Sequence, residues 1–291
     1  MITRFDHVVI AVRDLDIATQ CYRQLGFDVR PGGRHTGKGT HNAIIRFGLD
    51  YIELLSVYDE AEAKTSELGG QALLDFLHER EGGLLGYALA TADIEQEAER
   101  FRATEFPEQQ PFAMQRLRPD GRLLTWRLLT PSGVSWRRPW PFLIQWDTPD
   151  EQRLSWEEPG IHPNGAIAWI RASIAVYNLA GTTELYKHQL GLELTETGKD
   201  SHLAAQRATF QLGTSRIDLL TPTGEGLVQQ VLTDLGEGLL EVSFAVKDLS
   251  QTCSFLRQSG IDFELGVAGP GTLLISPDRA LGARLILVEK G

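Results

Sequence analysis

The apolar residues of the chain follow a pattern that repeats over long distances. Residues 7–15 read HVVIAVRDL, and residues 171–179 read RASIAVYNL. Each run predicts a strand and a polar turn, and the residues after each turn predict an amphipathic helix. The two helices contain CYRQLGF and LYKHQLGL. Both are predicted to end at their Leu-Gly pair, because glycine adopts the left-handed backbone of a helix end at little cost.

Further repeats complete each unit. RFGLDYIELLSV at residues 46–57 matches QLGTSRIDLLTP at 211–222, and each predicts two strands joined by a glycine turn. GYALATADI from Gly86 and EVSFAVKDL from Glu241 again predict a strand, an Asp turn and a helix. The chain therefore contains four related strand–helix–strand–strand–strand (βαβββ) units in two similar halves, which makes it an α+β protein.

The boundary between the halves is predicted from composition. After a strand over residues 141–146, the stretch DTPDEQRLSWEEPG is polar and interrupted by prolines, as linkers are. We expect an N-terminal domain at residues 1–147, a linker at 148–163 and a C-terminal domain at 164–291.

Composition narrows the classes of function. The 291 residues are 42% hydrophobic and 23% charged, and 28 basic against 39 acidic residues give a net charge of −11. This charge disfavours binding to nucleic acid or to an anionic membrane surface. The sequence shows no membrane span and no secretory signal, and its two cysteines form no disulfide framework, so we expect a cytoplasmic protein.

The motifs resemble a known superfamily. The opening FDHVVIAVRDL, the following CYRQLGF and the later YIELL resemble the first module of vicinal oxygen chelate proteins, which include glyoxalase I, extradiol dioxygenases and bleomycin-resistance proteins. PGGRHTGKGTHNAIIRFG, followed by YIELLSV, resembles more narrowly the bacterial glyoxalase-like domain proteins. The resemblance implies four βαβββ modules that pair into two cups of mixed sheet, with a divalent metal ion in a cup.

The resemblance also implies where the metal ligands lie, on the first and last strand of each module. In the N-terminal half these positions fall on His7, Glu53, Gln145 and Gly86. The first three are the candidate ligands for Zn, Mn, Ni or Fe. The alternative is a hydrogen-bonded His–Glu pair in a metal-free cup, since glutamine is a weak ligand and glycine is none.

The C-terminal half is predicted to be a degenerate copy. Its corresponding positions fall on Arg171, Asp218, Glu241 and Ile286. Because arginine is a cation, we expect it to pair with one of the two carboxylates in place of a metal.

Other side chains are candidates for contact with the substrate. We favour His41 over His35 as a catalytic base, because Thr40 and His41 begin a strand whereas His35 lies in a glycine-rich connection. Thr40 is a candidate substrate contact. In LLTWRLL, strand alternation lets either Trp126 or Arg127 face the cup, and the sequence leaves this choice open.

Together these features predict a metal-dependent enzyme of the lyase or isomerase type. His7, Glu53 and His41 would act on a small oxygenated substrate in the N-terminal cup. The alternatives are a metal-free binding protein of the bleomycin-resistance type, or a structural module with a vestigial cup. A homodimer is possible in any of these cases.

Overall fold

The computed structural model describes residues 1–66, 69–102, 110–131, 133 and 136–290. Within them the four predicted βαβββ modules are confirmed. The first half consists of β1 (Ile2–Val12), α1 (Leu15–Gln24), β2 (Val29–His35), β3 (Thr40–Arg46) and β4 (Tyr51–Val57), then β5 (Gly82–Thr91), α4 (Ile94–Arg102), β6 (Phe112–Leu117), β7 (Leu123–Leu129) and β8 (Phe142–Trp146).

The second half repeats this order. It consists of β9 (Ala166–Ala175), α6 (Leu179–His188), β10 (Glu193–Asp200), β11 (Ala205–Leu212) and β12 (Ser215–Pro222), then β13 (Gly238–Val246), α8 (Leu249–Gln258), β14 (Glu264–Leu265), β15 (Thr272–Ile275) and β16 (Leu285–Glu289). Connecting helices are α2 (Glu60–Lys64), α3 (Gly70–Glu79), α5 (Asp150–Leu154) and α7 (Leu227–Leu235).

The polar turns begin the helices as N-caps. The side chain of Asp14 accepts hydrogen bonds from the backbone N–H groups of Asp16 and Ile17. Asn178 and Asp248 cap α6 and α8 in the same way. These short polar side chains satisfy N–H groups that a helix start otherwise leaves unpaired, which explains why the helices begin where the repeats place them.

The two halves form two eight-stranded sheets that differ in closure. The first is a closed barrel with the order β1-β4-β3-β2-β6-β7-β8-β5, and the second is open with the order β10-β11-β12-β9-β13-β16-β15-β14. The barrel closes between its two modules where β2 pairs with β6, through the residue pairs Arg34–Leu117 and His35–Arg116. This junction brings His35 and Arg116 side by side.

The outer side of the barrel and the second sheet share one core. Phe5 of β1 stacks on Trp169 of β9 with ring centroids 3.5 Å apart. A separate apolar cluster lines the inside of the barrel, with Met114, Trp126, Phe142 and Ile144 among its members. The site therefore lies inside the barrel, away from the core that joins the halves.

The segment predicted as a linker packs against the N-terminal half. It contains α5, and the side chains of Arg153, Glu157 and His162 are buried. The domain limits at 147 and 164 stay a prediction. No helix among the described residues is long and apolar enough to cross a membrane.

Candidate functional site

The barrel encloses a cavity whose polar residues gather on one wall. His7, His35, Thr40 and Glu53 line that wall, and the other walls are largely apolar. The cavity is therefore a pocket with few, localised polar groups, as small-molecule sites are.

The structure brings His7 and Glu53 together, as the resemblance implied. Their strands β1 and β4 are parallel neighbours, and His7 is in register with Tyr51, two residues before Glu53. Nε2 of His7 lies 3.5 Å from Oε2 of Glu53. The ring of Tyr51 stacks on the imidazole at a centroid distance of 4.6 Å, which holds the ring in place.

Asp6 orients His7 from outside the cavity. Its Oδ1 lies 2.7 Å from Nδ1 of His7, so Nδ1 carries the proton of this bond and Nε2 is directed to Glu53. Burial by itself would raise the pKa of Asp6, but Arg4 and His7 hold it well below its usual range. A register shift between Phe5 and His7 in the pairing of β1 with β5 accompanies this arrangement. Regular alternation from the sequence does not predict it.

His35 completes the polar wall, although the sequence analysis favoured His41 over it. Nε2 of His35 lies 3.6 Å from Oε1 of Glu53, and its Nδ1 lies 3.0 Å from the hydroxyl of Thr40. Burial lowers the pKa of His35 to about 4, with Glu53 opposing this shift and Arg116 adding to it. The imidazole is therefore neutral at neutral pH.

Asn42 holds the carboxylate between the two imidazoles. Its Nδ2 donates a short hydrogen bond to Oε1 of Glu53 and lies 3.4 Å from Nε2 of His35. Asn42 follows Thr40 by two residues in β3, so both side chains point inward.

His41 lies on the outside of the barrel, which corrects its predicted position in the cup. It stands between Thr40 and Asn42, and alternation directs its side chain to the opposite face. There it contacts the ring of Tyr58 at 5.7 Å. The strand start was predicted correctly, but the inward face belongs to the residues on either side of His41.

Gln145 also lies outside the cavity, contrary to its predicted position. Its Oε1 accepts hydrogen bonds from the backbone N–H of Ile94 and from Arg127, and its Nε2 donates to the carbonyl of Ala92. The inward positions of β8 are Phe142, Ile144 and Trp146. The second module therefore places apolar side chains where a ligand was expected.

The choice between Trp126 and Arg127 is resolved by the same alternation. Trp126 lines the cavity, with its ring 6.1 Å from that of His35. Arg127 points outward and donates to Glu95 and Gln145. The apolar interior of the barrel takes the indole and leaves the guanidinium at the surface.

A buried cluster of arginines lies behind the polar wall, and the sequence analysis missed it. Arg116 lines the cavity, and its Nη2 donates to Oε1 of Glu157 at 3.1 Å. Arg46 and Arg153 pair with the same carboxylate at 3.0 and 3.1 Å. Burial by itself would raise the pKa of Glu157, but these three cations lower it. Because these residues lie far apart in the sequence, no local pattern indicates their convergence.

The chemistry of the donors fits a divalent metal ion. His7 and His35 each have Nδ1 engaged and direct Nε2 to Glu53, and two imidazoles with one carboxylate suit Zn, Mn, Ni or Fe. Among the described residues, however, no group of three or more His, Cys, Asp or Glu is already arranged to hold an ion. The side chains would therefore have to move to bind one.

The second sheet carries charged pairs at the corresponding positions. Nη1 of Arg171 lies 3.8 Å from Asp218, and its Nη2 lies 3.7 Å from Glu241. Arg284 donates to Glu241 at 2.9 Å. Each carboxylate thus has a cation beside it, as was expected for Arg171.

Comparisons with known proteins agree with this architecture. A family model described as a glyoxalase-like domain matches residues 5–186. A search of the curated proteins gave no match. Among solved structures, a hypothetical protein from Staphylococcus aureus is similar with a TM-score of 0.70 and 17% identity over 100% of both chains. A variant of 4-hydroxymandelate synthase from Streptomyces coelicolor has a TM-score of 0.65 and 13% identity over 100% of this chain and 94% of its own. At these identities the likeness concerns the fold.

Proposed function

Since the chain belongs to the glyoxalase-like domain family of the vicinal oxygen chelate superfamily, we propose that its barrel is an enzyme active site for proton transfer on a small oxygenated substrate. The observation that carries this proposal is the position of Glu53 between two imidazoles, with Nε2 atoms 3.5 and 3.6 Å from its oxygens. A carboxylate beside two imidazoles, in a mostly apolar cavity, suits general acid–base chemistry.

The reaction would be of the lyase or isomerase type. Glu53 accepts a proton from the carbon beside a substrate carbonyl. The electrons of that C–H bond form a C=C bond, and the π electrons of the carbonyl move to its oxygen. When Nδ1 of neutral His35 accepts a hydrogen bond from the hydroxyl of Thr40, the ring proton is on Nε2, which donates a hydrogen bond to this oxygen and stabilises its negative charge. Return of a proton to carbon completes an isomerisation, and loss of a leaving group completes an elimination.

A divalent ion would be held by Nε2 of His7, Nε2 of His35 and the carboxylate of Glu53. Bound there, it supplies electrophilic stabilisation of an oxyanion. His35 takes the place in this set that the sequence assigned to Gln145. The other tautomer of His35, which donates from Nδ1 to Thr40, leaves Nε2 free for this role.

Hydrogen exchange tests the role of Glu53. A panel of 2-oxo and 2-hydroxy carbonyl compounds is incubated with the protein in D2O, with and without Zn, Mn, Ni or Fe(II). Proton NMR then follows the signal at the carbon beside the carbonyl. We expect exchange with at least one compound, and a loss of about 100-fold or more in Glu53→Gln, because the amide cannot accept the proton.

The matched control is Glu241→Gln, which changes the corresponding residue of the second sheet and should leave the exchange rate unchanged. A panel with no exchanging compound, or a Glu53→Gln variant as active as the wild type, contradicts the proposal.

Metal content tests the ligand set separately. Elemental analysis of protein purified without chelator or nickel affinity resin should show a divalent metal in the wild type. The metal should be lost in His7→Ala, His35→Ala and Glu53→Ala. It should be retained in Gln145→Ala, since that side chain points away from the cavity. Retention in His35→Ala with loss in Gln145→Ala would overturn the revised set.

A metal-free binding protein is the second candidate. It is favoured by the lack of three converged ligands among the described residues and by the apolar lining. Wild-type protein that takes up no metal from the panel and catalyses no exchange, but is stabilised by a small ligand in thermal unfolding, would support it.

A further inference from the structure

We propose that the ligand of the barrel is an aromatic carboxylic acid, whose carboxylate binds to Arg116. The inference rests on the proposed function, because it concerns the same cavity. It adds a recognition residue that takes no part in the proton transfer described above.

Arg116 is buried beside the cavity with unused hydrogen-bonding capacity. Its side chain is 2% exposed and lines the cavity. Nη2 donates to Glu157, but Nε is buried and has no hydrogen-bond partner in the described part of the chain. A buried N–H of a guanidinium without a partner is unfavourable, so a ligand that accepts from it gains binding energy.

Glu157 cannot neutralise Arg116 alone, because it is shared among several cations. Nη2 of Arg46 lies 3.0 Å from Oε1 of Glu157, Nη1 of Arg118 lies 3.4 Å from the same atom, and Nη2 of Arg153 lies 3.1 Å from Oε2. Two of these four guanidinium groups have a further carboxylate partner, since Arg118 pairs with Asp120 at 3.1 Å and Arg153 with Asp150 at 3.6 Å. Among the described residues, Arg46 and Arg116 pair with Glu157 alone, so a ligand anion at Arg116 supplies negative charge that this pair of cations lacks.

The remaining charged residues at the cavity agree with an anionic ligand. Lys38 lines the cavity as a second cation. Glu53 is the carboxylate among the described lining residues, and Asn42 already donates to it. The cavity therefore attracts an anion to Arg116, at a position separate from the carboxylate of Glu53.

The walls beside Arg116 specify an aromatic body. Trp126 and Trp146 lie with ring centroids 5.0 Å apart, and Phe142 lines the same space. Flat aromatic walls favour a flat apolar ligand, which gains both burial and ring contacts. In the barrel wall, Arg116 is the cross-strand neighbour of His35. A carboxylate on Arg116 therefore places the adjacent part of the ligand toward the polar wall.

Calorimetry with two probes of the same shape tests the inference. Phenylacetate carries the charge and phenylacetamide does not. We expect the wild type to bind phenylacetate at least tenfold more tightly, as a charged acceptor pairs with a guanidinium more strongly than a neutral one does. Arg116→Gln should weaken phenylacetate by about 30-fold or more and leave phenylacetamide nearly unchanged.

Arg118→Gln is the matched control, because Arg118 also pairs with Glu157 but is not among the residues that line the cavity. This variant should bind both probes like the wild type. If Arg116→Gln fails to fold, Arg116→Lys replaces it; this variant keeps the charge but lacks Nε and should bind phenylacetate about tenfold more weakly. Equal binding of the two probes, no binding of phenylacetate, or wild-type binding in the Arg116 variant overturns the inference.

Failure of the inference and of the proposed function are separable. Binding is measured without turnover, so selective carboxylate binding in a protein that catalyses no exchange upholds Arg116 and rejects the enzyme. Hydrogen exchange that depends on Glu53, in a protein that shows no preference for the carboxylate probe, upholds the enzyme and rejects the role of Arg116.

Discussion

At the scale of single residues, the site depends on how burial changes ionisable groups. His35 is enclosed beside Glu53 and Arg116, and burial lowers its pKa from 6.5 to about 4. Because its proton is weakly held, His35 remains a neutral ring that can serve as donor, acceptor or ligand. The pKa of Asp6 is also lowered, but here the cause is Arg4 and His7, which keep the carboxylate ionised despite burial. Of these two buried groups, His35 is therefore neutral and Asp6 is ionised.

The low pKa of His35 predicts a pH-dependent stability. Between pH 6.5 and 4 the unfolded chain binds a proton at this residue that the folded chain does not bind, so the free energy of unfolding falls as the pH falls. Between pH 7 and pH 5 the wild type should lose about 2 kcal/mol more than His35→Gln. Urea unfolding at the two pH values measures this difference. His188→Gln, at an exposed site, should behave like the wild type; identical pH dependence in His35→Gln would contradict the prediction.

At the scale of elements, the closure of the barrel depends on one glycine. Gly33 of β2 has φ +140°, and a Cβ there would lie 2.1 Å from the carbonyl oxygen of Leu117 in β6. This close approach lets β2 pair with β6, which sets His35 beside Arg116. The first part of the glycine-rich connection, up to His35, is therefore a strand whose glycine permits the approach of its neighbour, and residues 36–39 form the turn to β3.

Gly33→Ala should accordingly open the junction. We expect the free energy of unfolding to fall by about 3 kcal/mol or more, because the backbone strain is combined with a backbone clash. Gly37→Ala is the control: Gly37 has φ +71° with nothing within 4 Å of its Cβ position, so only strain of about 1 kcal/mol applies. Urea midpoints measure both, and equal losses in the two variants would show that the β2–β6 contact is not the cause.

At the scale of the whole molecule, the two sheets depend on each other. One core cluster contains residues of both halves, and Phe5 stacks on Trp169 across the junction. Arg137 adds hydrogen bonds to the carbonyls of Leu239 and Gly236 in the second half. Two sheets that share a core are expected to unfold together.

Trp169→Ala tests this coupling. It should lower the free energy of unfolding by about 3 kcal/mol, and calorimetry should still show a single transition, because loss of the shared core destabilises both halves. Ile161→Ala removes a side chain that is 87% exposed and should change stability by less than about 0.5 kcal/mol. A variant with two separate transitions, one resembling the wild type, would mean that the halves fold independently.

Sequence patterns alone determined the modular architecture and part of the site. The four βαβββ modules, their order and the polar turns before their helices were predictable, because strand and helix periodicity and turn composition are local properties that the repeats display four times. The resemblance also located His7 and Glu53, which meet because parallel pairing of β1 and β4 fixes their separation.

Only the tertiary structure decided which side chains face the cavity. A shift of one residue reverses the face of a strand, and this separates Thr40 from His41, Trp126 from Arg127, and Ile144 from Gln145. Glu157 pairs with three arginines, the farthest of them 111 positions away in the sequence. Arg46 and Arg116 lie on strands and Arg153 on a connecting helix. Such contacts follow from register, bulges and closure of the barrel, which are properties of the assembled sheet and leave no periodic signal in the chain.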